Sequence, residues 1–427
     1  MSITTLCNVF IWDSLVGTVG WDSELRLAFF EYDAKFKKQN LELAPLMMPI
    51  SGQQVYSFPG LSEETYQGLP GLLADSLPDY FGNAVINAFL RSRGRAENSF
   101  DPVEKLCYIG KRGMGALEFK PALSRVRKSQ KIDVNALSLL AADIMRKRES
   151  IKFSLEDKKS AFHDILQVGS SAGGARPKAV IGWNPETNEV FSGQVDAPAG
   201  CDYWLLKFDV QKDGKSYGRI EYAYYLMAKA AGIQMSECRL LEDGDCAHFM
   251  SRRFDRGDGQ KVHIQTLCAM RHMDYNNPVA NSYEQAFDTM EKLKLLPAEK
   301  SQLFRRMVFN AVVRNHDDHT KNISFFMTRD GVWHLAPAYD MAWAYKPGSK
   351  WTGQHQMSIN GKRDGFSAED LIAAAKHFDI SKPQEIINTV CETALTFGDF
   401  ALEAGVPDSI VRQMQAEFRT YLKKENL

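Results

Sequence analysis

The sequence predicts a two-lobed α+β protein with a β-rich N-terminal subdomain and a mainly helical C-terminal lobe. Residues 1 to about 60 are β-branched or aromatic runs broken by glycine and aspartate: LCNVFIW, VGTVGW and LRLAFFEY. Strands return after residue 163 as KAVIGW, EVFSG and YWLLKFDV, and beyond residue 280 apolar residues recur at helical spacing. A chain of 427 residues also exceeds the size at which one core usually stops growing, so two or three domains are expected.

Taken in order, the three N-terminal runs are strands. SLPDYFGNAVINAFLRSRG (76–94) then turns helical, with Pro78 near its start and Gly94 past its end. Residues 1–125 form the β-rich N-terminal module. VRKSQKIDVNALSLLAADIMRK (126–147) is expected to be a polar, basic connecting helix. It opens a second domain, 126–260, built on the returning strands and on the helix RIEYAYYLMAKAAGI, which has Gly232 at its C-cap position. A strand pair, ECRLLE and AHFMSRRFD, leads into a polar stretch, HIQTLCAMRHMDYNNP. The third domain, 261–427, is the helical lobe. Within it, SAED (367–370) is a capping box, and Pro383 and Pro407 stand where first turns begin.

Composition excludes several classes. Lysine plus arginine (52) nearly balances aspartate plus glutamate (53), so the formal charge of −1 offers no global case for nucleic-acid binding. The seven cysteines (7, 107, 201, 238, 246, 268, 391) are odd in number and contain no CxxC pair. This argues against a disulfide framework and a structural zinc, and fits a reducing cytosol. The N-terminus MSITTLCNVFIWDSL lacks a basic n-region, and no stretch approaches the roughly 20 apolar residues of a membrane span. A cytoplasmic protein with no membrane contact is expected.

The stretch VRNHDDHTKN (313–322) crowds polar groups between two apolar elements. Phe304, Met307, Val308, Ala311 and Val312 recur at helical spacing before it. ISFFM and VWHLA after it flank Arg329-Asp330-Gly331, a hairpin with glycine where positive φ is needed. Asp317 and Asn322 are followed by Asp340 in LAPAYDMAW. Singly, Asp317 would cap a helix and Asn322 would form a turn. Together, a carboxylate, a carboxamide and a second carboxylate suit phosphoryl transfer: Asp317 orients a hydroxyl and accepts its proton, while Asn322 and Asp340 hold Mg²⁺ through oxygen. His316 and His319 read as loop scaffolding or phosphate contacts, because no cysteine or HExxH pattern joins them.

Three further motifs follow the same logic. VGSSAGGARPKAVIGW (168–183) is a Ser/Gly-rich turn entering a strand, and small residues there let backbone N–H groups approach phosphate oxygens. Lys207 sits in an apolar strand, where an ammonium needs a partner or an anion, and Glu221 opens the next helix. RRFDR (252–256) ends a strand where two lobes would join. The order is anion-binding turn, strand lysine, hinge, Asp-x₄-Asn loop, hairpin and metal aspartate. That is the order of a protein-kinase-like fold using ATP and Mg²⁺.

On these residues the chain resembles the HipA family of serine/threonine kinases, the toxin halves of bacterial toxin–antitoxin pairs. The likeness spans LPDYFGNAVINAFL, GGARPK, the lysine strand, HFMSRRFDR, DDHTKN and the YDM segment. DDHTKN resembles the family's D-x-H-x-K-N. The resemblance implies Asp317 as proton acceptor and Asn322 and Asp340 as Mg²⁺ ligands. It implies Gly173, Gly174, Ala175, Arg176, Pro177 and Lys178 as the nucleotide loop, with Lys207 on the phosphates. Arg252, Arg253 and Phe254 would be the adenine-facing hinge; the family often has Glu where this chain has Arg252, and hinge contacts run largely through backbone. His319, Lys321 and Tyr339, beside these motifs, join the expected nucleotide contacts. The family's regulatory serine falls on Ser171, with Ser170 beside it, so autophosphorylation in that loop is implied. So are a small helix-turn-helix antitoxin (HipB-like), DNA contact only through that antitoxin, and a protein substrate of the aminoacyl-tRNA synthetase kind.

Two other readings compete. A small-molecule phosphotransferase of the aminoglycoside type shares the Asp, the His at +2 and the Asn at +5. It explains neither the 1–125 module nor the serines before GGARPK. A non-catalytic kinase-like binding module has no need to keep Asp317, Asn322, Asp340 and Lys207 together.

Overall fold

The computed structural model describes residues 2–123, 131–146, 176–193, 196–209, 216–257 and 260–423. The chain divides into two compact units. The first comprises Met1–Leu43, Met48–Gln211 and Arg239–His263; the second comprises Ala44–Met47, Lys212–Cys238 and Ile264–Leu427.

The first unit holds two five-stranded sheets. In the N-terminal sheet β1 (Ile3–Ile11), β2 (Ser14–Asp22), β3 (Leu27–Tyr32), β4 (Val55–Tyr56) and β5 (Leu117–Lys120) run in the order β4-β3-β2-β1-β5, with antiparallel neighbours. Strand β1 alternates as a one-sided strand must: Cys7, Val9 and Ile11 are buried, while Leu6 and Asn8 face out. Gly17 in β2 is required by close approach, because a Cβ there would lie 2.2 Å from the Glu31 carbonyl of β3. Helix α1 (Tyr80–Ser92) packs through Ile86 and Leu90 against Tyr108 of α2 (Pro102–Ile109), and α2 lies on this sheet. Asp79 caps the first by accepting from the Gly82 N–H, and a capping box of Asp101 and Glu104 opens the second.

The second sheet contains β6 (Lys178–Trp183), β7 (Val190–Ser192), β8 (Asp202–Lys207), β9 (Cys238–Asp243) and β10 (Cys246–Arg252), in the order β7-β6-β8-β10-β9. Ile181, Trp183, Trp204, Leu206 and Met250 form its core together with Phe81 and Val85 of α1. The expected connecting helix exists as α3 (Val134–Arg146), but it is not a merely polar connector. Leu137 and Ala141 are buried in this same core, since an amphipathic helix beside an open sheet hides its apolar stripe. Burial, rather than net composition, sets its place.

The second unit is mainly helical. Helix α4 (Tyr217–Ala230) ends with Gly232 at φ +81°, as the sequence predicts. The stretch expected to be merely polar around 263–278 is instead β13 (His263–Thr266), after the short ladder β11 (Arg256–Gly257) and β12 (Gln260–Lys261) of the first unit. It continues as α5 (Leu267–Arg271), with Leu267 to Met270 buried. Then come α6 (Tyr283–Lys292), α7 (Pro297–Val312) and the hairpin of β14 (Ser324–Met327) with β15 (Trp333–Leu335), turning at Gly331 with φ +86°. The end is helical: α8 (Ala368–His377), α9 (Pro383–Leu395), α10 (Phe397–Glu403) and α11 (Asp408–Gln415). Helix α7 packs on α9 and α4 on α10. Glu299 of α7 accepts from the Leu335 N–H at 2.8 Å, which ties the hairpin to the helix. The α+β architecture expected from the sequence, β-rich at its N-terminal end and mainly helical at its C-terminal end, is borne out. No helix among the described residues is long and apolar enough to cross a membrane.

Candidate active site

Helix α7 delivers the polar loop. Its buried face carries Phe304, Met307, Val308, Ala311 and Val312, all fully buried. The helix then stops in a Schellman arrangement: Arg314 takes φ +60°, and the Asn315 N–H bonds back to the Asn310 carbonyl at 3.1 Å. The next residues run extended, and the His316 N–H donates to the Ala344 carbonyl at 3.1 Å.

The loop's two aspartates have opposite environments. Asp317 is exposed, with 54% of its side chain accessible, and lies 3.9 Å from His319 Nε2. Asp318 is buried and accepts from His355 Nδ1 (2.8 Å), the Gln356 N–H (2.8 Å) and the Tyr283 hydroxyl (2.9 Å). Burial alone would raise the Asp318 carboxyl, but His355 and these donors hold it below its ordinary value. His316 is fully buried against His355, ring centroids 4.1 Å apart, and burial pushes its ring down to about 3. It belongs to the loop's scaffold.

Asn322 closes the loop. Its Nδ2 donates to the Asp317 carbonyl at 2.7 Å, which orients the carboxamide and leaves Oδ1 as the group that can face a cation. The Tyr339 hydroxyl donates to the Lys321 carbonyl at 2.7 Å and shares a hydrogen bond with Ser324. This hooks the segment carrying Asp340 onto the loop beside Asn322. Asp340 takes φ +52°, a conformation that aspartate tolerates better than most residues, and its carbonyl accepts from Asn315 Nδ2 at 3.3 Å. Lys321 Nζ lies 4.6 Å from the ring centroid of Tyr275, whose ring also stands 5.5 Å from His319. Sequence reasoning missed Tyr275, which falls in the stretch taken as merely polar.

Among the described residues no group of three or more His, Cys, Asp or Glu side chains is placed to hold a metal ion. A cation at Asn322 and Asp340 would take one carboxamide oxygen and one carboxylate from the protein. That donor set suits Mg²⁺, which completes its shell with phosphate and water.

The other expected site residues belong to the first unit. Ser170, Ser171, Gly173, Gly174 and Ala175 lie outside the described residues. Arg176 and Pro177 lead into β6, and the Pro177 carbonyl accepts from the Phe208 N–H at 3.1 Å. Register places Lys178 directly opposite Lys207. Two ammoniums at facing positions repel unless anions answer them. For Lys178 the answer is Asp79, 3.6 Å away and equally buried. Lys207 is half-buried, its Nζ 5.5 Å from the Phe249 ring centroid. Arg252 is half-exposed and paired with Asp202 at 2.7 Å. Arg253 turns inward, its guanidinium bidentate on Asp255 (2.9 and 2.6 Å) and its N–H on the Tyr203 carbonyl at 2.8 Å. Phe254 follows it. Both the side chain and the N–H of Arg253 are thus engaged within the protein.

A family profile described as the HipA-like C-terminal domain matches residues 170–397, and one described as the HipA N-terminal domain matches residues 7–120. Among solved structures, the chain is similar to one from the Shewanella oneidensis MR-1 toxin–antitoxin complex of HipA, HipB and operator DNA. The TM-score is 0.67 and the identity 18%, over 98% of this chain and 96% of that one, a likeness of fold. The Helicobacter pylori proinflammatory kinase CtkA gives a TM-score of 0.34 at 10% identity, over 52% of this chain and 89% of that one. No curated protein sequence matches at a significant level.

Proposed function

Because this chain belongs to the HipA family, we propose that it is an ATP- and Mg²⁺-dependent serine/threonine protein kinase, the toxin of a toxin–antitoxin pair. The observation that carries the proposal is the contrast within the loop. Asp317 is presented to solvent, its carbonyl braced by Asn322, while its neighbour Asp318 is buried as an anchor. An exposed carboxylate on a braced loop is what a proton acceptor for an incoming hydroxyl requires.

In this reading Asp317 orients the hydroxyl of a protein substrate and accepts its proton. Asn322 Oδ1 and the Asp340 carboxylate hold Mg²⁺, which when bound neutralises charge on the phosphates. Lys207 contacts the phosphates, and the loop from Gly173 to Lys178 cradles them through backbone N–H groups. The Asp79 pair gives Lys178 a structural duty beside that one. Within the hinge Arg252 to Phe254, Arg252 and Phe254 offer backbone while Arg253, engaged with Tyr203 and Asp255, supports them. His319, Lys321 and Tyr339 shape the rim around the nucleotide. Domains 1–125, 126–260 and 261–427 serve as N-terminal module, nucleotide lobe and catalytic lobe.

The proposal extends to regulation and partners. Ser171, or Ser170, is autophosphorylated, which places about −1.5 to −2 charges where ATP phosphates must sit and shuts the enzyme off. A HipB-like helix-turn-helix antitoxin neutralises the toxin and carries the DNA contact. The substrate is a cellular protein, with an aminoacyl-tRNA synthetase as first choice. The test is a phosphoproteome after brief expression, set against Asp317→Asn, together with intact-mass analysis after Mg-ATP. New phosphosites that depend on Asp317 support the reading; identical phosphoproteomes reject it.

A further inference from the structure

Asp318 has no part in the chemistry proposed above, yet it is the better held of the two aspartates. An ionised carboxylate only accepts, so the Tyr283 hydroxyl must donate to it (2.9 Å). That hydroxyl then accepts from Asn310 Nδ2 at 3.0 Å, which turns the Asn310 Oδ1 toward Asn315. Asn315 Nδ2 donates to that oxygen at 3.0 Å and also to the Asp340 carbonyl at 3.3 Å. The three hydrogen bonds from Asn315 to Asp318 therefore all donate toward the carboxylate, their sense set by its negative charge, and the Asn315 amide so oriented donates outward to the Asp340 carbonyl.

The charged end is itself fixed. His355 donates through Nδ1, which leaves Nε2 to accept from Arg419 Nη1 at 3.5 Å, and the His355 carbonyl accepts from Arg363 Nε at 2.7 Å. Arg419 is held in turn by Asp364 and by the Ala311 carbonyl of α7. Tyr283, Asn310, Asn315, Asp318 and His355 are all buried, so water does not compete with the chain.

We infer that Asp318 is a positioning residue: through Tyr283, Asn310 and Asn315 it fixes the loop of Asp317 to the backbone of Asp340. The relay sets the spacing between the proton acceptor and the metal-binding carboxylate. It starts from the neighbour of the one and ends on the carbonyl of the other. The inference rests on the phosphotransfer reading of Asp317 and Asp340.

Tyr283→Phe tests it in the full-length chain, because it removes one hydroxyl and both of its links. The wild type is measured first for stabilisation by Mg-ATP and for Asp317-dependent phosphate transfer. Absence of both overturns the phosphotransfer reading, and the inference with it. Where both are present, Tyr283→Phe is expected to lower kcat by about 10–100-fold, the effect of displacing reacting groups by an ångström or less. The KM for ATP should stay within about threefold, because ground-state binding is not what the relay secures. Mn²⁺, an oxygen-seeking ion less strict in geometry than Mg²⁺, should restore part of the loss in this variant and none in Asp317→Asn. Asn310→Ser cuts the next link and should give the same split. If both variants turn over like the wild type, or lose kcat with no Mn²⁺ rescue, the relay is overturned while the kinase reading stands.

Discussion

Replacing Asp255 by Asn should destabilise the first unit more than any change to a surface ion pair. The Asp255 carboxylate is fully buried and accepts four hydrogen bonds: two from Arg253 (2.9 and 2.6 Å), one from Arg256 (2.6 Å) and one from the Gly115 N–H (2.8 Å). The two guanidiniums also reach the Gly113 carbonyl, and Arg256 reaches that of Gly115. Asparagine keeps the volume, so no cavity opens; what is lost is the anion between two buried cations. Removing one member of a buried ion pair costs about 3–5 kcal/mol. For a unit of this size that lowers the melting temperature by about 10 °C. Differential scanning calorimetry reads the shift directly. Adding Arg253→Gln to Asp255→Asn should cost less than the sum of the two single changes, since the second removes a charge the first left stranded. By contrast, Glu63→Gln breaks the exposed Arg26–Glu63 pair and should leave the melt unchanged. The pH dependence follows with its sign. Burial opposes the Asp255 charge, but Arg253 and Arg256 overcome it and hold the carboxyl well below the usual range. Its stabilisation is complete above the unfolded value of about 3.9 and is lost only as pH falls below it. The gap between wild type and variant should stay constant from pH 8 to 5 and shrink below about pH 4. A melting temperature within about 2 °C of wild type at pH 7 would refute the account, because no buried charge would then have been stranded.

Asp317→Asn should lower phosphate transfer by several orders of magnitude with an unchanged melt, since the side chain is largely exposed; near-wild-type turnover rejects its role. Asp340→Asn should weaken Mg²⁺-dependent ATP binding, read by titration with and without the metal, and equal affinities would remove Asp340 from the site. The His263 ring is fully buried, and burial pushes it down to about 4, so the folded state binds fewer protons than an unfolded chain titrating near 6.5. Its contribution, up to about 3 kcal/mol, is whole above pH 6.5 and fades between 6.5 and 4; melts across that range should fall, and His263→Gln should flatten the slope. Gly17→Ala drives a methyl onto the Glu31 carbonyl and should cost about 1–3 kcal/mol in denaturant unfolding; a neutral result means that β2 and β3 separate freely.

Much of the second unit was legible because short-range signals carry it. The period of Phe304, Met307 and Val308, the Gly331 turn and the Ser367 capping box all state their geometry within a few residues. The loop was legible as a loop, Asp317 was singled out by its spacing to Asn322, and the structure leaves its side chain exposed. Nothing local separates it from Asp318, however, whose partners Tyr283 and His355 lie 35 and 37 residues away. RRFDR read as a strand end serving as a hinge, whereas Arg253 and Asp255 are buried on Gly113 and Gly115, some 140 residues earlier. Lys178 read as a loop residue, and its pairing with Asp79 depends on where α1 comes to rest. Helix α3 was read as a polar connector because Arg127, Lys128 and Lys131, which precede it in the sequence, were counted with it, although only the apolar stripe with Leu137 and Ala141 decides where a helix packs. Short-range geometry is written in the sequence; the partners of buried charges are written in the tertiary fold.

The first unit is discontinuous: its last piece, Arg239–His263, returns after the chain has contributed to the second. During synthesis, β8 therefore emerges with its neighbour β6 but without β10, which flanks it on the other side. Until Leu241 and Met250 arrive, Trp204 and Leu206 lack part of their core, and β8 is an open edge. At about 5–20 residues per second, the interval between Leu206 and Met250 lasts roughly two to nine seconds. In that window the nascent chain offers an apolar template to any other unfinished copy. A ribosomal pause between β8 and β10 lengthens the exposure, and a chaperone that grips extended apolar segments has its target there.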